Sequence, residues 1–184
     1  MKKDRQKAVT HEKMICISCG AHHSISAVPS TCTKCDGILD LVQEPKEPQA
    51  QGLKAQGIWR WARQLPNCQP QNRISLGEGE TPLLAVKRLG AAFGLDDLWI
   101  KNDAMMPSGS FKDRAIALAT SLACEYGREG LVLASSGNAG ASGAAYAARA
   151  GKQLLVLVPK TAPGAKLRQI AAAGAKLVTI DGAV

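Results

Sequence analysis

Ser108-Gly109-Ser110-Phe111-Lys112-Asp113-Arg114 is the stretch on which the reading of this chain turns. A lysine follows a small Ser/Gly turn and opens an apolar-periodic run. That run puts Ile116, Ala119, Leu122, Ala123 and Tyr126 on one helical face and stops at Gly127. The spacing predicts a helix with Lys112 in its first turn, held against the body of the protein. The amino end of a helix carries partial positive charge, so an ammonium group is electrostatically misplaced there. Such a position favours a nucleophilic amine suited to Schiff-base chemistry. A solvated surface lysine is the competing reading.

Downstream, Ala134-Ser135-Ser136-Gly137-Asn138-Ala139-Gly140-Ala141-Ser142-Gly143 lies between Leu131-Val132-Leu133 and an alanine-rich run from Ala144 to Ala150. This predicts a strand, a tight loop and a helix. The backbone N–H groups of such a loop, together with a helix start, make a site for an anion such as a carboxylate. A loop that only turns the chain would look the same. Neither stretch matches the dinucleotide fingerprint G-x-G-x-x-G or the phosphate loop G-x-x-x-x-G-K-[ST].

Apolar strand cores begin at Leu131, Leu154 and Leu177, 23 residues apart each time. Strand, loop and helix fit that interval, as successive βαβ units around a buried parallel sheet would require. Leu98-Trp99-Ile100 is a further strand, leading toward Lys112. The fold class is therefore α/β, a parallel sheet with flanking helices. Ligands bind such sheets at the carboxyl ends of the strands, where Ser135 to Asn138 fall.

Nearer the amino end, Cys16-Ile17-Ser18-Cys19 and Cys32-Thr33-Lys34-Cys35 are separated by twelve residues. Two C-x-x-C knuckles supply four soft ligands for a tetrahedral ion, the pattern of a zinc ribbon over residues 14–42. Gly20 and Gly37 follow the knuckles, as tight turns around a metal require. Two disulfides are the alternative, without a secretory context to support them. So small a module has almost no core, and structural zinc, worth ~10–16 kcal/mol apparent, is expected to fold it. Four thiolates leave no open position, so the zinc is expected to be structural, with Cys16, Cys19, Cys32 and Cys35 as ligands. His22 and His23 are expected to be loop residues, and Cys68 and Cys124 have no obvious partners.

Residues Met1 to Lys13 carry five Lys/Arg against two acids and read as a frayed leader. Gln43 to Gly57, rich in Pro, Gln, Glu and Gly, reads as a linker. Ile58-Trp59-Arg60-Trp61 begins a short helix whose rings dock on the main domain. The expected organisation is a zinc ribbon at 14–42, a linker and docking segment at 43–75, and an α/β domain at 76–184, which the resemblance given below implies is part of a catalytic domain. Ser75-Leu76-Gly77-Glu78-Gly79-Glu80-Thr81-Pro82 is a rigid polar loop, in which Glu78, Thr81 and Pro82 read as a structural turn or, on the family resemblance given below, as site residues.

Hydrophobic residues at 46% and charged residues at 21% are ordinary for a globular domain. No apolar run approaches the ~20 residues that span a bilayer, and no apolar segment of a signal peptide follows the basic start. The expected location is cytoplasmic, with no membrane partner. A formal charge of +8 invites a nucleic-acid reading. Zinc with four thiolates would lower it by two, however, and the positive residues are scattered. Aromatic residues, at 4%, are too few for a base-stacking platform. A zinc-ribbon nucleic-acid-binding protein is thus the non-enzyme alternative, and nucleic acid is not the expected partner.

Taken together, Ser108–Arg114, Ser135–Gly140 and Leu76–Leu84 resemble the fold-type II pyridoxal-phosphate enzymes of the tryptophan synthase β-like superfamily, and within them the threonine synthase-like members. The resemblance runs from about Leu76 to Val184. It implies that Lys112 holds the cofactor through its amine and then shuttles protons, that Phe111 packs on the cofactor ring, and that Asn138 bonds the ring's phenolic oxygen. Ser135, Ser136 and Gly137, with Asn138, would bind the carboxylate of a small-molecule amino-acid substrate. Lys112 and Ser136 are the catalytic expectations, and pyridoxal 5'-phosphate and zinc the cofactors. The implied reaction converts O-phosphohomoserine to threonine and phosphate. A serine/threonine dehydratase or a β-replacement enzyme such as cysteate synthase is the alternative.

The chain departs from the family pattern at Asp103 and Met105-Met106-Pro107, where relatives commonly read Glu and then Asn before the turn. Family members also run to roughly twice this length, their second half supplying the cofactor-phosphate loop. The expectation is a truncated chain or half of a split enzyme, binding pyridoxal phosphate weakly and turning over little alone. Its expected partner is a second copy or a complementing C-terminal half.

Overall fold

The computed structural model describes residues 13–25, 29–42 and 56–182. Of the expected leader, residues 1–12 lie outside the described residues and Lys13 is already in a strand; of the expected linker, residues 43–55 lie outside them and Gly57 opens a short helical segment, Gly57–Gln64. The chain forms two compact units, Met1–Ala50 with Trp61–Asn67, and Gln51–Arg60 with Cys68–Val184.

In the first unit, β1 (Lys13–Cys16) is the middle strand of an antiparallel sheet, between β2 (His22–Ser24) and β3 (Leu39–Val42). Met14 pairs with His23 and Cys16 with Leu39. His22 and His23 are therefore strand residues and not the loop residues expected, because the turn after Cys19 is short enough for pairing to resume at once. Cys16, Cys32 and Ile25 are buried.

The second unit begins with an antiparallel pair. β4 (Leu83–Ala85) and β5 (Trp99–Lys101) are linked through α1 (Lys87–Ala92). The strand expected at Leu98–Ile100 thus forms one residue later, but it pairs with Leu83–Ala85 and stays out of the parallel sheet.

α2 (Lys112–Glu125) starts at Lys112. It closes with Gly127 at φ +63, whose N–H bonds to the Cys124 carbonyl at 3.1 Å. Its buried face is Asp113, Ala117, Thr120 and Ser121. The expected face of Ile116, Ala119, Leu122, Ala123 and Tyr126 is half-buried or exposed. The reason lies in what packs against the helix. Part of its partner is the irregular segment 68–75, whose backbone N–H groups need acceptors more than apolar cover. Ser121 Oγ accepts from Ile74 N at 2.8 Å, and Glu125 Oε2 accepts from Gln69 N and Asn72 Nδ2, each at 2.8 Å.

The rest is a βαβαβ run: β6 (Gly130–Ala134), α3 (Asn138–Arg149), β7 (Gln153–Pro159), α4 (Gly164–Ala172) and β8 (Lys176–Ile180). The strands are parallel in the order β6-β7-β8, with Leu131 beside Leu154 and Val156 beside Leu177. On central β7, Leu154, Val156 and Val158 are buried against Ala141, Ala144 and Ala147 of α3 and Ile170 of α4. Each such Leu, Val or Ile contributes ~1.5–3 kcal/mol.

Right-handed crossovers that step repeatedly in one direction put both helices on the same face. The opposite face is open among the described residues, with Val132 69% and Val178 41% exposed. The fully buried sheet expected from the apolar strands is therefore covered on one side only.

Candidate functional site

The expected loop from Ala134 to Gly143 is much shorter, because α3 starts at Asn138. Gly140 and Gly143 are contact points in the helix and not turn residues. A Cβ on Gly140 would stand 2.3 Å from the Ser135 carbonyl oxygen, and one on Gly143 would stand 2.9 Å from Leu133 Cδ2. Only glycine lets the first turn of α3 approach the loop that leaves β6.

That loop sits at the carboxyl edge of the parallel sheet. Ser135, Ser136 and Gly137 line an open cleft of about 740 Å3, together with Pro159, Lys160 and residues at the end of β8. Ser135 Oγ accepts the Gly137 N–H at 3.2 Å, which closes the loop on itself. No side chain caps the start of α3, and its first turn carries no acid. The start of α3 thus carries no anion of its own, and the acid in the cleft, Asp181, is paired with Lys160 at 2.7 Å.

Lys112 opens α2, is half-buried, and places Nζ 4.7 Å from the centroid of the Phe111 ring. The ring itself is 60% exposed. The turn before Lys112 is rigidly built. Gly109 has φ +78, and its N–H bonds to the Met106 carbonyl at 2.8 Å. Ser110 Oγ accepts the Lys112 N–H at 3.2 Å. Buried Asp113 accepts from Ser108 N at 2.7 Å and from Ser108 Oγ at 2.5 Å. Its charge also suits the first turn of a helix.

Next along, Arg114 forks onto Asp103 at 2.6 and 3.0 Å, and Thr81 Oγ1 donates to Asp103 Oδ1 at 2.9 Å. The Arg114 hydrogen bonds hold the Asp103 carboxyl at about 2, well below the usual carboxylate range. Asp103, noted in the sequence as a departure, thus anchors the lysine-bearing motif. Lys112 and Phe111 are neighbours, and Ser135 to Asn138 form one turn. Helices α2 and α3 pack on each other.

Glu78 is a structural centre. It is fully buried and accepts from Tyr146 OH at 2.8 Å, Leu76 N at 3.0 Å, Ser75 Oγ at 3.1 Å and Ile58 N at 3.3 Å. Burial, then the hydrogen bond to Glu78, pushes the Tyr146 phenol up. The carboxylate ties three separate segments together, a role with no local sequence signal. Trp59 docks by donating Nε1–H to the Ile74 carbonyl at 3.0 Å, with Arg73 over its ring. Cys68 is buried and donates to the Ser121 carbonyl; burial pushes its thiol to about 12.

In the smaller unit, the sulfurs of Cys16, Cys19, Cys32 and Cys35 all lie within 4.8 Å of one another. Cys16 and Cys35 are 3.5 Å apart, and Cys19 and Cys32 are 3.6 Å apart. Tetrahedral zinc with ~2.3 Å bonds places sulfurs about 3.8 Å apart, so the donor set fits that ion. The knuckles are closed by Gly20 N to Cys16 O at 2.9 Å and Asp36 N to Cys32 O at 2.8 Å. The positive φ of the second knuckle falls on Asp36, whereas Gly37 serves close approach: a Cβ there would lie 2.9 Å from Cys16 Sγ. Burial raises the Cys16 thiol, but the backbone N–H groups of Cys19 and Ser18 and the adjoining thiols outweigh it, bringing it down to about 6. The Gly37 N–H lowers the Cys35 thiol, but its bonds with Cys19 and Cys16 outweigh that and push it up to about 12, so the cluster favours one thiolate, on Cys16. Among the described residues no helix is long and apolar enough to cross a membrane.

Residues 74–184 match the family described as pyridoxal-phosphate dependent enzyme. Two relatives named threonine synthase are similar over most of the chain. That of Methanosarcina acetivorans is 38% identical over 173 residues, 91% of this chain and 42% of the relative. That of Methanocaldococcus jannaschii is 37% identical over 175 residues, 91% of this chain and 43% of the relative. Among solved structures, maize serine racemase superposes with a TM-score of 0.52 at 27% identity, covering 56% of this chain and 32% of that one. The serine racemase of Dictyostelium discoideum gives 0.52 at 30% identity, covering 56% and 34%. The chain spans about two-fifths of the length of the curated relatives it matches over most of its own length.

Proposed function

The chain belongs to the pyridoxal-phosphate dependent enzymes, and from that premise we propose that it carries the lysine-bearing part of a threonine synthase-like lyase. The substrates of this reading are O-phosphohomoserine and water, and the products are threonine and phosphate. One observation carries it: a lysine fixed at the head of α2, in the same unit as an uncapped Ser-Ser-Gly-Asn turn that opens on the cleft of the parallel sheet. The relatives named threonine synthase support the substrate class.

The residues present fit the cofactor by donor chemistry. Lys112 supplies a primary amine for an aldehyde carbon, Asn138 an exposed amide for the phenolic oxygen, and Phe111 an exposed ring face. Pyridoxal phosphate, when bound, supplies the electron sink for a carbanion beside the substrate nitrogen. The chain's own residues do the rest. Ser135, Ser136 and Gly137 orient the substrate carboxylate with the N–H groups at the start of α3. Lys112 Nζ takes the proton from the substrate carbon and returns it.

In this reading the four cysteines bind structural zinc in a ribbon at residues 14–42. Residues 43–75 are a linker and docking segment, and 76–184 belong to the catalytic domain. The 184 residues alone are proposed to turn over weakly or not at all, which the open sheet face supports. The proposed protein partner is a second copy of the chain or a complementing C-terminal half. The location proposed with this reading is the cytoplasm, a reducing compartment in which zinc-bound thiolates persist.

The test is borohydride reduction of the protein reconstituted with pyridoxal phosphate, followed by peptide mapping. A phosphopyridoxyl group on Lys112 is expected; its appearance on another lysine, or on none, overturns the reading. Phosphate release from O-phosphohomoserine by the completed enzyme, without deamination of serine or threonine, separates threonine synthesis from dehydratase or β-replacement chemistry.

A further inference from the structure

We propose that His23 donates an Nε2–H hydrogen bond to the Cys32 sulfur and so slows the loss of zinc from the four-cysteine centre. The inference rests on the reading of that centre as a zinc site. His23 Nε2 lies 3.3 Å from Cys32 Sγ, within reach of an N–H···S bond. Cys32 is fully buried, so this sulfur has no water to share its charge. Lys34 N donates to the same sulfur at 3.4 Å, which gives it a backbone and a side-chain donor together.

The sheet delivers the imidazole. His23 on β2 is held opposite Met14 of β1, two residues before Cys16, so the pairing that shapes one ligand strand also places the ring. A thiolate bound to a metal has no proton, which makes the imidazole nitrogen the donor. A neutral ring with its proton on Nε2 can serve. Zinc with four thiolates carries a net charge of −2 on its sulfurs. Donors to sulfur spread that charge, fix the ligand's direction, and leave the sulfur less open to electrophiles. Outer partners of this kind typically change metal affinity 10–100-fold. With four sulfurs within 4.8 Å of one another to fill the positions of a tetrahedral ion, the ring stands outside the coordination shell.

The experiment measures zinc content by elemental analysis. It then follows zinc transfer to the chromophoric chelator 4-(2-pyridylazo)resorcinol, for the protein and its His23→Leu and His23→Gln variants. All three are expected to hold one zinc, with transfer from His23→Leu faster by about 10-fold or more. His23→Gln, which keeps an N–H donor, should fall between the two. Equal rates for all three at equal zinc content overturn the role of His23 and leave the zinc centre standing. Absence of zinc from the unsubstituted protein, with none taken up on titration, overturns the centre itself. If His23→Leu retains no metal, the cobalt forms of the parent and His23→Gln decide. A changed thiolate-to-cobalt charge-transfer band is expected, and an identical band refutes the contact.

Discussion

Substituting Gly140 by alanine should destabilise the larger unit, although the same change in an ordinary helix interior helps. Alanine is favoured over glycine by about 1 kcal/mol in mid-helix. At residue 140 the new Cβ would lie 2.3 Å from the Ser135 carbonyl oxygen, 3.3 Å from its carbon and 3.0 Å from Ile170 Cδ1. The closest obstacle is backbone, so no rotamer change relieves it. Loop and helix must separate by roughly 1 Å to reach ordinary contact. Overpacking of this kind costs ~1–3 kcal/mol and occasionally more.

A backbone obstacle puts the cost at the upper end, about 3 kcal/mol, so after the propensity gain of about 1 kcal/mol the net expectation is a loss of about 2 kcal/mol. For a chain of this size that is roughly 4–8 °C in Tm. Gly143→Ala is the internal control, because its nearest obstacles, Leu133 Cδ2 at 2.9 Å and Leu154 Cδ2 at 3.3 Å, are side-chain methyls that can shift. It should come within about 1 kcal/mol of the parent. Urea unfolding followed by circular dichroism at 222 nm compares the three proteins. If Gly140→Ala proves as stable as Gly143→Ala, the claim that α3 is seated against Ser135 by a missing side chain is wrong.

Tyr146→Phe removes one donor from buried Glu78 and should cost ~1.5–3 kcal/mol in urea unfolding. Glu78→Gln should cost at least as much, since an amide N–H₂ would face the donors of Ser75, Leu76, Ile58 and Tyr146. Asp103, held at about 2 by Arg114, stabilises the fold above its unfolded value near ~3.9. That contribution should fade as pH drops from about 4 to about 2. The pair is partly exposed, so its loss in Asp103→Asn should be below ~1 kcal/mol and should flatten the acid limb of a stability–pH curve. Removing metal with a strong chelator should abolish the ordered amide signals of residues 13–25 and 29–42 in an NMR spectrum and spare those of β6 to β8; unchanged ribbon signals would contradict a metal-dependent fold.

Much of the fold was open to reading along the chain because its signals are local. The start of α2 at Lys112, its stop at Gly127, the 23-residue strand interval and the two cysteine knuckles each depend on spacing within a few turns or one βα unit. The errors arose where distant partners intervene. The buried side of α2 is chosen by an irregular segment that needs acceptors, which periodicity does not report. The glycines of α3 looked like loop residues because a close approach to Ser135 and Leu133 leaves no trace in the local sequence.

The same division runs through the site. Residue type and order already mark an amine at the head of a helix, an uncapped turn after a strand, and four thiols able to enclose a metal. Chain spacing can do this because backbone geometry converts sequence distance directly into place within one helix, strand or knuckle. Only the folded chain shows Glu78 joined to Tyr146, Asp103 gripping Arg114, and His23 against Cys32, because these pairs meet across 68, 11 and 9 residues. Their strength depends on burial and on which donors converge, and those are properties of packing that no single stretch contains.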